Sequence, residues 1–192
     1  MPFISALYTK TSHYFITMML SKERIEANKQ QIVELLQSTN RKGMDKILAY
    51  LEGVGFYTAP SSRDRHHNWC GGLAQHSLGT CLKALKQSEG LDRCSVIIAA
   101  LLHDICKASR LYYGTDGRIH KRPTYIKGHG WRSVSLLKRE GLELTGDEWT
   151  AIRWHMGVHN APYEEAGRVM SSKLWQVVFD SDKSDARNGW RK

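Results

Sequence analysis

The 192 residues carry 41% hydrophobic and 24% charged side chains with only 4 Pro, a balance that fits one globular domain and excludes a disordered chain. At this length roughly 70% of the unfolded surface can be buried, so the fold needs neither disulfides nor a structural metal, and any metal would serve chemistry. The formal charge of +9 favours partners bearing negative charge, among them phosphate esters, nucleic acid and anionic surfaces, without choosing between them.

In chain order, residues 1–20 are aromatic and apolar but interrupted by Lys10 and His13, with no small-residue cleavage site after them, which argues against a signal peptide. They are set aside as a poorly defined segment, with Met18 or Met19 as an alternative start, and residues 21–192 are read as one domain. Ser21 to Ser38 reads as an amphipathic helix with Ile25, Ile32, Val33 and Leu36 apolar. Met44, Ile47, Leu48, Leu51 and Val54 repeat at helical spacing after Gly43, and Gly53, Gly55 and Pro60 end that helix. A polar loop, SSRDRHHN, leads to a helix from about Leu73 to Gln87 with Leu78, Cys81, Leu82 and Leu85 on its apolar stripe and His76 in its first turn. The run LDRCSVIIAALLHDICK is apolar nearly all round, as a central helix enclosed by neighbours would be, and His103 and Asp104 end it. Residues 111–122 suggest a short hairpin or an irregular lid. Thr145 and Glu148 form a T-x-x-E capping box that starts a helix with Trp149, Ile152 and Met156 at helical spacing. A last helix runs from about Ser172 to Arg187. Nearly every element is helical, so the class is all-α.

Cys70, Cys81, Cys94 and Cys106 form no C-x-x-C pair and read as small buried side chains in a reducing cytosol. The longest apolar run, Val96 to Leu102, is far below the roughly 20 residues that span a bilayer. A cytoplasmic chain with no membrane span is therefore expected. Residues 61–130 hold 11 basic and 5 acidic side chains, so the positive excess is concentrated where the candidate chemistry lies.

A metal site needs imidazole and carboxylate ligands converging from separate elements, and the candidates are His76, His103, Asp104, His129, His155 and Asp182. A His-Asp pair alone is weak evidence. Its position at the end of an apolar helix strengthens it, because an unpaired buried carboxylate costs several kcal/mol unless a cation neutralises it. The bland alternative is an Asp that caps the helix or faces solvent.

GGLAQHSL, LLHDICK, GHG, WHMG and SDKSDA follow one another over residues 71–186. In that order they resemble the H, HD, H, H, D pattern of the HD superfamily of metal-dependent phosphohydrolases. The resemblance implies an HD-type helical bundle in which His76, His103, Asp104 and Asp182 form a shared metal site. It further implies that His129 and His155 match the two added histidines of members holding two metals, with Asp104 bridging. Mn, Fe, Co, Ni, Zn and Mg are not distinguished by these ligands. Cys106 stands where the family often has Gly, and the motifs typical of guanosine tetraphosphate hydrolases and of the cyclic di-GMP enzymes are absent, so neither specific activity is inherited.

Lys107, one turn past His103, can offer its ammonium to a phosphoryl oxygen, or can be a solvated helix-end lysine. Arg153 is a candidate phosphate clamp or an outward ion pair, and Trp154 a candidate base contact. His66 and His67 suggest a phosphate-facing rim or an ordinary turn, and Asp185 a group that orients a ligand. The expected activity is hydrolysis of a phosphomonoester or phosphodiester of a small phosphorylated substrate, a nucleotide, by a metal-activated hydroxide, with Asp104 and Lys107 as the catalytic pair. The alternatives are a non-catalytic nucleotide or nucleic-acid sensor and an exoribonuclease-like nuclease.

Overall fold

Helix ends follow from local chemistry. In the computed structural model, which describes residues 20–114, 116, 118–123, 128–159 and 161–189, the Ser21 hydroxyl accepts the Arg24 N–H at 3.2 Å and opens α1, Lys22–Ser38. Gly43, at φ 89°, precedes α2, Met44–Gly53. Gly71, at φ 80°, turns the chain into α3, Gly72–Lys86. Asp92 caps α4, Arg93–Leu102, by accepting the Ser95 N–H at 2.7 Å. A 3-10 turn, Ile105–Lys107, follows, and then a hairpin of β1, Leu111–Tyr113, and β2, Ile119–Lys121, which pair antiparallel with Tyr112 opposite His120.

The remaining helices are α5, His129–Arg139, α6, Gly146–Trp154, α7, Tyr163–Ser171, and α8, Lys173–Asn188. The capping box of α6 is complete: Thr145 Oγ1 accepts the Glu148 N–H, and the Glu148 carboxylate accepts the Thr145 N–H at 2.9 Å. That carboxylate is wholly buried and also receives Arg41 through two bonds of 2.8 and 2.7 Å and Ser95 Oγ at 2.7 Å. One side chain thus ties the loop after α1 and the start of α4 to α6.

Every residue from Val96 to Leu102 is buried, and α4 packs against α1, α3, α6 and α8, so the helix apolar on all sides is the central one. Two helices, α5 and α7, are not among the elements expected from the sequence, although both are amphipathic. The α7 helix buries only Val169, too thin a stripe to register. Two expected core positions face out. Leu82 is 38% exposed on the outer side of α3, and Met156 is 55% exposed because α6 stops at Trp154. No helix among the described residues is long and apolar enough to cross a membrane. The segment 1–19 lies outside the described residues.

Candidate metal centre

Four helices deliver the candidate side chains to one place. His76 projects from the middle of α3, His103 and Asp104 from the end of α4, His155 from the end of α6, and Asp182 and Asp185 from α8. His103 and His155 stand at equivalent points, each just past the last turn of its helix. The Nδ1–H of His103 donates to the Ala100 carbonyl and that of His155 to the Ile152 carbonyl, both at 2.8 Å. A carbonyl only accepts, so the proton sits on Nδ1 and each Nε2 faces the opposite way, into the cluster. His76 is set by a carboxylate instead, its Nδ1 lying 2.9 Å from Asp185 Oδ2. Gly79 makes room for this, because a Cβ there would sit 2.3 Å from Asp185 Oδ1. Lys83 completes the support by pairing with Asp185.

The inward atoms crowd without bonding one another. His76 Nε2 lies 3.0 Å from Asp182 Oδ1, His103 Nε2 is 3.3 Å from Asp104 Oδ2 and 3.7 Å from Asp182 Oδ1, and His155 Nε2 is 3.4 Å from Asp104 Oδ1. Yet His76 Nε2, His103 Nε2, His155 Nε2 and Asp104 Oδ1 are all buried with no hydrogen-bond partner. Ligands 2.0–2.2 Å from a common ion stand about 3.0–3.5 Å from each other, so these atoms are spaced as neighbours on a coordination shell. Two overlapping triads result, His76 with His103 and Asp182, and His103 with Asp104 and His155. Mixed nitrogen and carboxylate donors aimed at shared points fit a divalent cation.

The electrostatics agree. Burial opposes charge on Asp104, but Lys107 and His103 hold its carboxyl well below the usual range, and His76 and His103 do the same for Asp182. Burial likewise disfavours charge on His76 and His155, and the carboxylates beside them outweigh it and raise both pKa values. A pocket that draws protons onto its imidazoles is one that attracts positive charge.

His129 lines the same cavity, and its Nδ1 is buried without a partner, but its ring nitrogens stand apart from both triads. Burial pushes its pKa down to about 4. Lys107 also reaches the cavity, with Nζ 2.5 Å from Asp104 Oδ2. Cys106 is a buried thiol, pushed up to about 11 by burial, and it donates to the His129 carbonyl at 3.4 Å, so the side chain that replaces glycine ties the 3-10 turn to α5.

Arg153 and Trp154 are corrected. Neither lines the cavity. Trp154 is buried in the hydrophobic core with its indole N–H on Glu165 at 3.1 Å, and the Arg153 guanidinium stacks on its ring at 4.0 Å and faces Trp131. Arg153 therefore sits against Trp131 of α5 and Trp154 against Glu165 of α7, away from the cavity that His155 lines. His67 is the converse surprise. It is buried, not on a rim, in a left-handed conformation at φ 51°, with its Nε2 3.5 Å from Asp185. His66 lines the cavity with its ring 4.7 Å from that of His76. His66 thus stands on the rim that the sequence suggested, and the polar loop composition hid only the burial of His67.

The sequence of residues 73–187, more than half of the chain, matches the HD domain family model, and the chain belongs to that family. A curated relative, dihydroneopterin 2',3'-cyclic phosphate phosphodiesterase of Methanocaldococcus jannaschii, is 31% identical over 97 residues, which are 46% of this chain and 39% of the relative. The match thus spans well under half of that protein's length. No solved structure matches the chain.

Proposed function

We propose that the chain is a metal-dependent phosphohydrolase that cleaves a phosphate ester, with His76, His103, Asp104, His155 and Asp182 as the cation ligands and His129 at the edge of a second position. The observation that carries this reading is the set of buried, unpartnered donor atoms: three imidazole Nε2 atoms and one carboxylate oxygen facing the same points. Leaving such atoms unpaired costs about 1–3 kcal/mol each, a cost that a bound cation removes. Family membership and the phosphodiesterase relative support the same reaction class.

A bound divalent cation supplies a Lewis acid for a phosphoryl oxygen and lowers the pKa of water. The chain's own residues do the rest. The Ala100 and Ile152 carbonyls and Asp185 hold three imidazoles in the tautomer that keeps Nε2 free. Lys107, at the cavity wall beside Asp104, offers its ammonium to charge that develops on a phosphoryl oxygen. His66 lies on the substrate side of His76 and walls the ester in. The substrate is a small phosphorylated compound of nucleotide type, favoured by the basic cavity wall.

The test is Mn²⁺-dependent hydrolysis of bis-p-nitrophenyl phosphate and p-nitrophenyl phosphate by the purified chain. Asp104→Ala and His103→Ala are expected to abolish turnover and to lower bound metal, read by elemental analysis, with the circular dichroism unchanged. Full activity in both variants would remove the assignment. Nucleotide binding with no phosphate release under any metal would show a sensor instead.

A further inference from the structure

A cavity of about 650 Å³ opens over the two triads, and its wall is basic: Arg63, Arg65, Lys107, Arg110, Lys121 and Lys183 line it. Some of that charge is already balanced. Arg63 pairs with Asp64 at 2.8 Å and Lys107 with Asp104 at 2.5 Å. Arg110 is different. Its Nε is buried and meets no acceptor, and among the described residues no carboxylate pairs with it. Arg132, one helical turn beyond His129 on α5 and so on the same face, is in the same state, with both Nε and Nη1 buried and unpartnered. Arg132 itself does not line the cavity, but the 3-10 turn that leads into Arg110 packs against α5, with the Cys106 thiol on the His129 carbonyl. Burial first, and then the charge of Arg132, lowers the Arg110 pKa.

Two neighbouring cations with three buried guanidinium nitrogens and no acceptor are what a folded chain avoids unless a ligand completes them. Guanidinium N–H groups present a planar fork that matches a phosphate, whose oxygens accept several bonds at once. Neither arginine belongs to the triads, so the anion they await is not the one held over the metal ligands. We propose that Arg110 and Arg132 form a subsite for a second, non-scissile phosphate, and that the substrate therefore carries two phosphate groups, as a nucleoside bisphosphate or a short oligonucleotide does. Only the word substrate rests on the phosphohydrolase reading, since the anion subsite itself needs no turnover.

The experiment is calorimetric titration of the full chain under chelation, which prevents hydrolysis, with adenosine 3',5'-bisphosphate, adenosine 5'-monophosphate and a short oligoribonucleotide. The wild-type chain is expected to bind the bisphosphate at least about tenfold more tightly than the monophosphate. Arg110→Gln and Arg132→Gln should each remove most of that difference, whereas Lys138→Gln, which takes the same charge from the exposed far end of α5, should leave it intact. Equal affinity for mono- and bisphosphate in the wild-type chain overturns the subsite even if neither variant folds. Retention of the difference in both folded variants overturns it equally. The oligonucleotide arm separates sources: tighter binding than the bisphosphate marks a polymer, weaker binding a small nucleotide. If the subsite passes and the Mn²⁺ assay shows no hydrolysis, the enzymatic reading falls and the anion site stands.

Discussion

Imidazole orientation at this centre is decided by what sits behind each ring. His103 and His155 are anchored by main-chain carbonyls that no substitution removes, but His76 depends on the side chain of Asp185. Asp185→Asn should therefore weaken metal binding about 10- to 100-fold, measured by competition with a metal-sensitive chelating dye, and leave the fold intact. His67 supplies part of the pH dependence, beside His66 and His129, whose pKa values burial also lowers. Burial, reinforced by the charge of His76, lowers the His67 pKa to about 3 from an ordinary 6.5. Below pH 6.5 the unfolded chain takes up a proton that the folded chain refuses, so stability is complete above 6.5 and declines as the pH falls toward about 3, by up to about 1.4 kcal/mol per pH unit for one proton. Thermal melts between pH 7 and 4 under chelation should show a shallower decline in His67→Asn, a residue that tolerates the left-handed backbone at this position. The sequence does not show the inward turn of His67, but it does mark Asp185 as a group that orients a ligand. The spacing of Asp185 after Asp182 places it on the same helix, but only the packing of α8 on α3 says that it meets His76.

Elements are joined by one buried ion pair more than by any surface charge. Glu148 accepts four donors from Arg41, Ser95 and Thr145, and a wholly buried carboxylate with every oxygen satisfied is rigid. Arg41→Met leaves that charge without its cation and should destabilise the chain by about 3–5 kcal/mol, read from urea unfolding, with metal affinity unchanged in the folded population. The capping box itself was legible, because T-x-x-E is a local signal. Its second use was not, since Arg41 is 107 residues away from Glu148. The missed helices have a similar cause. The α5 helix opens at Gly128 with no side-chain cap, so its start is unmarked although Ser133, Val134 and Leu137 repeat at helical spacing, and α7 offers one buried residue.

For the molecule as a whole, the proposed cation site would act as a cross-link. Its candidate ligands come from α3, α4, α6 and α8, spanning residues 76–182, so an ion bound there would couple four helices far apart in the chain. Divalent metal at about 100 times its Kd should raise stability by about 2.7 kcal/mol, roughly 5–10 °C in Tm for a chain of this size, and chelation should reverse the shift. A Tm indifferent to Mn²⁺, Zn²⁺, Fe²⁺, Co²⁺, Ni²⁺ and Mg²⁺ would mean that no ion is held.

The sequence alone established the helical class, the central position of Val96–Leu102 and the order of the histidines and aspartates, because periodicity, capping and motif order are written in neighbouring residues. Tertiary structure alone decided which of those side chains converge, that His67 turns inward, that Trp154 belongs to the core, and that Arg110 and Arg132 bury guanidinium nitrogens without an acceptor. Each of those outcomes depends on which face of one helix meets which face of another, and that choice is made by packing over distances at which the chain carries no local record.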